Sequence, residues 1–372
     1  MNCQDPFREV RIQSKEAKRQ EEHQLAVVTE TSRRSKLGTY AKRIGIFRSS
    51  RSISPIITAI ALALAFGLPL FIGSSNQASL GQYVIYFIWI TLAESWNLVG
   101  GYAGLINLGM VYFFALGSIT TSVLLAAGFS FPICILASIA VGAIAALVLI
   151  PTFRLRSDYF AIATLVIPIV LKPIVEYAFS HSNFSWPSGL VISETLFYEL
   201  GVGMTAATIF GIFFMMKSRI GMALRGVGDD EYASASVGVN ILLFKTIALV
   251  VSGIIATVAG AYYLGYILAV NTSLFLNLTF SLYPIFMVII GGIGTFEGPI
   301  VGALLFSAIT YEVNSYLPSS NLEVLLFSLI IMVVAVLLPK GIVPTLSRYL
   351  ARKRAVARAD ERKGAVKVEA PD

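Results

Sequence analysis

Predominantly apolar stretches near 20 residues in length recur along the chain at about 54–72, 81–99, 105–127, 131–150, 159–178, 196–216, 243–268, 278–293, 299–316 and 322–338. As a helix, a stretch of that length crosses the roughly 30 Å hydrocarbon core of a bilayer with every backbone hydrogen bond satisfied within itself. The pattern predicts an all-α polytopic membrane protein with about ten transmembrane helices, eight to ten, some of them broken at glycines. It also divides the chain into a polar tail over 1–53, a transmembrane domain over 54–338 and a second polar tail over 339–372.

One connector within the apolar domain stands out, the polar interlude Lys217–Leu242. Ile220, Ala223, Leu224 and Val227 recur at helical spacing with Arg219 and Arg225 turned to the other side, which predicts a short amphipathic helix. Gly226 and Gly228 are expected to break it. Asp229 is expected to cap a second helix with Asp230 and Glu231 in its first turn, where the helix dipole favours negative charge, and Gly238 to close it in a left-handed conformation. Taken alone, this is two short helices on one membrane face, which an ordinary solvated connector also provides.

Hydrophobic residues make up 56% of the 372 positions and charged residues 13%, half the usual charged share, which excludes a soluble domain. Residues 1–53 carry 12 Lys/Arg against 6 Asp/Glu, residues 339–372 carry 9 against 4, and the stretch between carries 7 against 11. Basic tails suit anionic headgroups and retention on the cytoplasmic side. Neither tail has a recognisable nucleic-acid-binding module, and we expect no nucleic-acid partner. The first tail is polar and aperiodic, the composition of a disordered segment, and shows no signal-peptide pattern. With the amino terminus inside, Arg154, Arg156, Lys217, Arg219, Arg225 and both tails fall on the cytoplasmic side, and the segments near 73–80, 128–130, 179–195, 269–277 and 317–321 contain no Lys or Arg. The pattern therefore predicts a multi-pass protein of the cell membrane with both termini cytoplasmic and Lys217–Leu242 facing the cytoplasm. The long external connection Phe179–Thr195, with Asn183, Trp186, Pro187 and Gly189, is either a docking surface or an inert loop.

Glycine-rich interruptions form two further signals. Gly100-Gly101-Tyr102-Ala103-Gly104-Leu105-Ile106-Asn107-Leu108-Gly109 and Gly291-Gly292-Ile293-Gly294-Thr295-Phe296-Glu297-Gly298-Pro299-Ile300-Val301-Gly302-Ala303 each join one apolar run to the next. Irregular backbone at membrane depth is tolerated when buried in protein or lining a cavity, and transporters use it to bind solute. The other reading is a tight turn and a small-residue packing seam, with Gly294, Gly298 and Gly302 along one helical face. Charged residues inside apolar runs need a partner, a cavity or the interface. Lys172 and Glu176, four apart on one helix, can pair with each other. Glu94 has no such neighbour, so it either contacts solute in the translocation path, snorkels to the interface or bonds to another helix.

Cys3 and Cys134, and His23 and His181, are far apart in sequence, and no metal site follows. No nucleophile with a base and no phosphate-binding Gly-rich loop occurs, so we expect no enzyme active site, no catalytic residue and no cofactor on this chain.

Several motifs match a known pattern. Ser218–Arg225 followed by Asp230–Asn240, the two glycine-rich segments, and Asp158-Tyr159-Phe160-Ala161-Ile162-Ala163-Thr164-Leu165 resemble, in order over 81–303, the permease subunits of branched-chain amino-acid ABC importers. The resemblance implies that the second helix of the loop is a coupling helix seated in an ATPase, with Glu231, Ala233, Ala235 and Gly238 at the contact and Arg219, Gly221, Arg225 and Asp230 in the same loop. The buried charge and the two glycine breaks place the candidate solute pathway near Glu94, Asn97, Gly101, Gly104, Asn107, Gly292, Gly294 and Thr295. The implied partners are a second related permease, two ATPase subunits that use the ATP, an extracytoplasmic solute-binding protein and membrane lipid. Glu94-Ser95-Trp96 departs from the family, which has small or apolar residues there, and related permeases carry urea, short amides or other polar solutes. An ion-coupled transporter acting alone and a membrane scaffold are the rival readings.

Overall fold

The computed structural model describes residues 77–155, 157–181, 194–267, 275–316 and 341–349, with isolated positions at 329, 332 and 338. These all belong to one unit, Leu64–Asp372. The apolar runs at 54–72 and, apart from those isolated positions, 322–338 lie outside the described residues, as do both tails and most of the Phe179–Thr195 connection.

Each of the eight remaining runs forms a helix. Helix α1 is Gln77–Trp96 and continues as a π-helical turn over Asn97–Tyr102; α2 is Met110–Ala126, α3 Phe131–Val148, α4 Ser157–His181 and α5 Glu194–Lys217. The interlude supplies α6, Arg219–Asp229, and α7, Glu231–Ser236. Then come α8, Ile241–Ile267, α9, Thr279–Gly291, and α10, Gly298–Tyr316, with a last turn of helix, α11, over 342–349. Five of these helical stretches are long and apolar enough to cross a membrane, and Met110–Ala126, Thr279–Gly291 and Gly298–Val313 are shorter apolar helices. Helix α2 starts five residues later than its apolar run because the irregular stretch before it is held by hydrogen bonds from Leu108 N to Thr164 and from Gly109 N to Asn107.

The core forms around α8, which packs against α2, α3 and α1. In a bilayer, apolar side chains have no water to escape, so helices associate through close backbone approach and hydrogen bonds. Both devices are present here. A Cβ at Gly117 would lie 1.8 Å from the Thr257 carbonyl oxygen, and one at Gly260 would lie 1.9 Å from that of Phe114, so α2 and α8 touch backbone to backbone. Ser118 Oγ donates to Gly260 O at 2.8 Å across the same seam, and Ser95 Oγ donates to Ser252 O at 2.8 Å between α1 and α8. Trp89, Phe114 and Phe280 stack where α1, α2 and α9 meet, with Phe114 and Phe280 centroids 4.2 Å apart. By contrast α3 and α4 leave Leu136, Ile144, Ile162, Val166, Ile174 and Tyr177 exposed, an apolar surface suited to lipid rather than water. We expect Gly260→Val to destabilise the chain by about 1–3 kcal/mol or more through overpacking. Thermal unfolding of the detergent-solubilised full chain measures this, and an unchanged midpoint would contradict the seam.

Candidate functional site

The polar interlude folds locally for reasons partly visible in its sequence. Ser218 caps α6, its Oγ accepting from Ile220 N at 3.2 Å. Leu224 and Val227 are buried, as is Gly221, whose missing side chain leaves room for the Met216 backbone. Two expectations are corrected. Helix α6 runs through Gly226 and Gly228 to Asp229 rather than breaking at the glycines. The cap of α7 is Asp230, whose Oδ1 accepts from Ala233 N at 3.0 Å, and Asp229 ends the preceding helix. Gly238 does close α7 with a φ of +87°. The glycine at 228 has a tertiary role: a Cβ there would lie 2.3 Å from Tyr102 O, and one at Gly104 would lie 3.1 Å from Gly228 Cα. Thus α6 lies directly on the first glycine-rich segment.

Packing reinforces that contact. Leu224 joins Leu98, Val99, Tyr102, Ala103 and Leu105 in one buried cluster. Arg225 donates to Met216 O at 3.0 Å, and its guanidinium stands 5.9 Å from the Tyr102 ring centre. Burial draws this guanidinium below its ordinary range, opposed by Tyr102, yet arginine stays charged under all ordinary conditions. Glu231 forms an ion pair with Lys245 of α8 at 2.5 Å. With Glu231 well exposed, such a pair is worth about 0–1 kcal/mol, so it orients α7 more than it stabilises the fold. The face of α7 away from the membrane helices is bare: Tyr232 is 90% exposed and Val237 78%, and Ala233, Ala235 and Ser236 are exposed beside them.

The two glycine-rich segments meet. Asn97 Nδ2 donates to Thr295 O at 2.9 Å and Asn97 Oδ1 accepts from Gly294 N at 2.9 Å, so one buried amide bridges both. A Cβ at Gly101 would lie 2.7 Å from Gly294 N. Thr295 Oγ1 donates to Gly292 O at 2.7 Å and accepts from Gly298 N at 3.1 Å, closing the turn into α10. Gly294 sits in that turn at a φ of +69°, off the helical face it was expected to share with Gly298 and Gly302. Those two glycines do face α9, where a Cβ at Gly302 would meet Met287 O at 1.8 Å. Gly292 meets Gly341 just ahead of α11 and Pro344 within it. The first segment is held from the other side by Thr164 of α4, whose Oγ1 accepts from Leu108 N at 3.2 Å.

Gly101, Gly292, Gly294, Thr295 and Asn97 therefore occupy a close seam in which the side chains of Asn97 and Thr295 are engaged, and Gly104 lies beside it against Gly228. Two expected pathway residues differ. Glu94 is completely buried and neither carboxylate oxygen has a hydrogen-bond partner; the Asn107 amide nitrogen is also buried without an acceptor. The other groups of Asn107 are used, its carbonyl by Trp96 Nε1 at 2.7 Å and its Oδ1 by Gly109 N at 2.9 Å. Sequence reasoning missed the Asn97 bridge, Lys245 as the partner of Glu231, and the hold of Thr164. Lys245 carried a signal, a lone charge one turn into an apolar run. Among the described residues no group of metal-ligating side chains comes together.

Comparison with known proteins shows the family. The family of branched-chain amino acid transport system permease components matches residues 78–336, from the start of α1 past α10. The high-affinity branched-chain amino acid transport system permease protein LivM of Escherichia coli strain K12 is 24% identical over 347 residues, covering 82% of this chain and 78% of that protein. The corresponding LivH permease protein of Salmonella typhimurium is 26% identical over 163 residues, 44% of this chain and 50% of that protein. The galactofuranose transporter permease protein YtfT of Escherichia coli is 25% identical over 169 residues, 42% of this chain and 48% of that protein. No solved structure matches.

Proposed function

Because this chain belongs to the family of branched-chain amino acid transport permease components, we propose that it is one permease of an ATP-driven ABC importer for branched-chain amino acids. It lies in the cell membrane with both termini and the interlude on the cytoplasmic side. Likeness to both a LivM and a LivH protein favours a second, related permease as its partner. Two ATPase subunits hydrolyse the ATP, and a binding protein delivers solute from outside.

The observation that carries this reading is α7: a short, capped helix with an exposed apolar face of Tyr232 and Val237, seated through α6 on the glycine seam. A solvated connector has no need of such a face. Bound to an ATPase, it gives a partner's movement a rigid route to the Asn97 bridge. The two conformations must then differ in their contacts with the ATPase, since only differential affinity shifts an equilibrium. Convergence of the segments near 100–109, 217–242 and 292–297 on one another supports placing them on one membrane side.

The test is ATP-dependent uptake of labelled leucine by vesicles holding the chain with its co-purifying partners, compared with Tyr232→Asp. Tyr232 is almost fully exposed, so the substitution leaves folding intact. Joint loss of ATPase co-purification and of uptake is expected. Uptake that needs no ATP and collapses with the proton gradient would replace this reading by the ion-coupled one. ATPase capture without leucine uptake would keep the importer and discard the solute.

A further inference from the structure

The carboxylate of Glu94 is the unexplained group in the core. It lies in the last turn of α1, fully buried, with no hydrogen bond to either oxygen. Polar side chains adjacent to it in the sequence are engaged elsewhere, and the one buried amide donor left over among the described residues, Asn107 Nδ2, does not reach it. Ser95 bonds to Ser252, Thr91 to Thr205, and the Asn97 amide to Gly294 and Thr295. The charged group that acts on it is a second carboxylate, Glu297, immediately before α10. Glu297 is half-buried and sits where the positive end of α10 favours an anion; Glu94 lies toward the negative end of α1. Arg225 of the interlude donates to Met216 O and stands over the Tyr102 ring, and neither oxygen of Glu94 has a hydrogen-bond partner.

An ionised carboxylate buried without partner or counter-charge costs several kcal/mol, more than one neutral hydrogen bond returns, so such a group either keeps a proton or takes up a cation. A fully buried, unpartnered carboxyl group in the field of a second one favours a positive charge and N–H donors together. A primary ammonium carries both, with three donors on a compact cation. An amide or urea meets the hydrogen-bonding need without the charge, and a carboxylate meets neither. We propose that Glu94 is the counter-charge for the ammonium group of the transported solute, with Glu297 adding to the negative field, so that this permease selects solutes bearing a primary amine. The inference deepens the transport reading and rests on it only for the source of the amine. In this conformation the site is occluded, and α1 must part from its neighbours to admit solute.

The experiment uses the full chain in lipid nanodiscs, and its thermal midpoint with leucine, with leucinol, which keeps the amine and lacks the carboxylate, and with 4-methylpentanoate, which lacks the amine. Leucine and leucinol should raise the midpoint and 4-methylpentanoate should not. Glu94→Gln, close in shape and neutral, should abolish the rise, and Glu94→Asp should keep the preference for amines at lower affinity. In vesicles with partners, Glu94→Gln should lower the apparent affinity for leucine at least about tenfold, the scale of losing one side of a buried charge pair. A response to 4-methylpentanoate equal to that of leucine overturns the proposal, as does an amine response that survives Glu94→Gln. So does a midpoint that follows pH or sodium alone, or one that follows nothing. Leucinol binding through Glu94 without ATP-driven leucine uptake would refute the importer reading and keep the ammonium site. ATP-driven uptake indifferent to Glu94→Gln would do the reverse.

Discussion

Gly228→Val is expected to cut ATP-driven uptake by about tenfold or more, the range over which a lost coupling free energy of about 1–3 kcal/mol acts, while ATPase subunits still co-purify with the chain. The reason is local and steric. A Cβ at position 228 would stand 2.3 Å from Tyr102 O, and that oxygen belongs to backbone that cannot rotate aside. Helix α6 must lift from the first glycine-rich segment, taking Leu224 out of the cluster it shares with Leu98 and Tyr102 and Arg225 away from the Tyr102 ring. Nothing on the exposed face of α7 changes, because Tyr232 and Val237 point away from the contact. Partner binding and transport should therefore separate, which a simple loss of the docking helix would not produce. Gly226→Ala is the control two residues earlier. Its Cβ would meet only Ser234 Oγ at 3.2 Å, and alanine favours the helix, so uptake should stay near wild type. Equal losses in the two variants would show that the glycine at 228 matters for something other than its approach to Tyr102.

Much of this architecture is legible in the sequence, because membrane solvation leaves few choices. An apolar run near 20 residues must be a helix, and the runs from 81–99 to 299–316 all are. The two helices of the interlude were legible for the same kind of reason, in that Leu224 and Val227 repeat at helical spacing and Gly238 suits a left-handed closure. What failed was the reading of Gly226 and Gly228. A glycine costs a helix about 1 kcal/mol, which a break or a close tertiary contact explains equally well from sequence, and here the contact with Tyr102 decides. The shift of the cap from Asp229 to Asp230 has the same origin, since adjacent aspartates cap equally well until the preceding helix fixes its end. The pairings of Asn97 with Gly294 and Thr295, and of Thr164 with Leu108, span roughly 200 and 56 residues of chain, and no local pattern encodes a partner that far away. Glu94 is the reverse case. Its isolation in an apolar run was evident from sequence, and the structure adds that neither of its carboxylate oxygens meets a donor.

The Asn97 bridge carries the second large expectation. Asn97→Ala should destabilise the chain by about 2–4 kcal/mol and abolish uptake, because it orphans Gly294 N and Thr295 O together and each unpaired buried group costs about 1–3 kcal/mol. Relief by solvent is limited, since Asn97 is completely buried and Gly101 approaches Gly294 too closely to admit a side chain. Asn97→Asp separates hydrogen bonding from space. It retains an acceptor for Gly294 N but offers Thr295 O no donor, and it adds a negative charge to a region already holding Glu94 and Glu297. It should be no more stable than Asn97→Ala at neutral pH despite its closer shape. If the amide merely filled space, the aspartate would recover most of the loss, and the thermal midpoints of the two variants would order the other way. The bridge links the segment under α6 to the turn that opens α10, so its loss should also uncouple them. In Asn97→Ala, adding Gly228→Val should reduce uptake little further, since the connection that the valine disturbs has already lost its far end. Independent, multiplying effects on uptake would mean that the two contacts serve different routes.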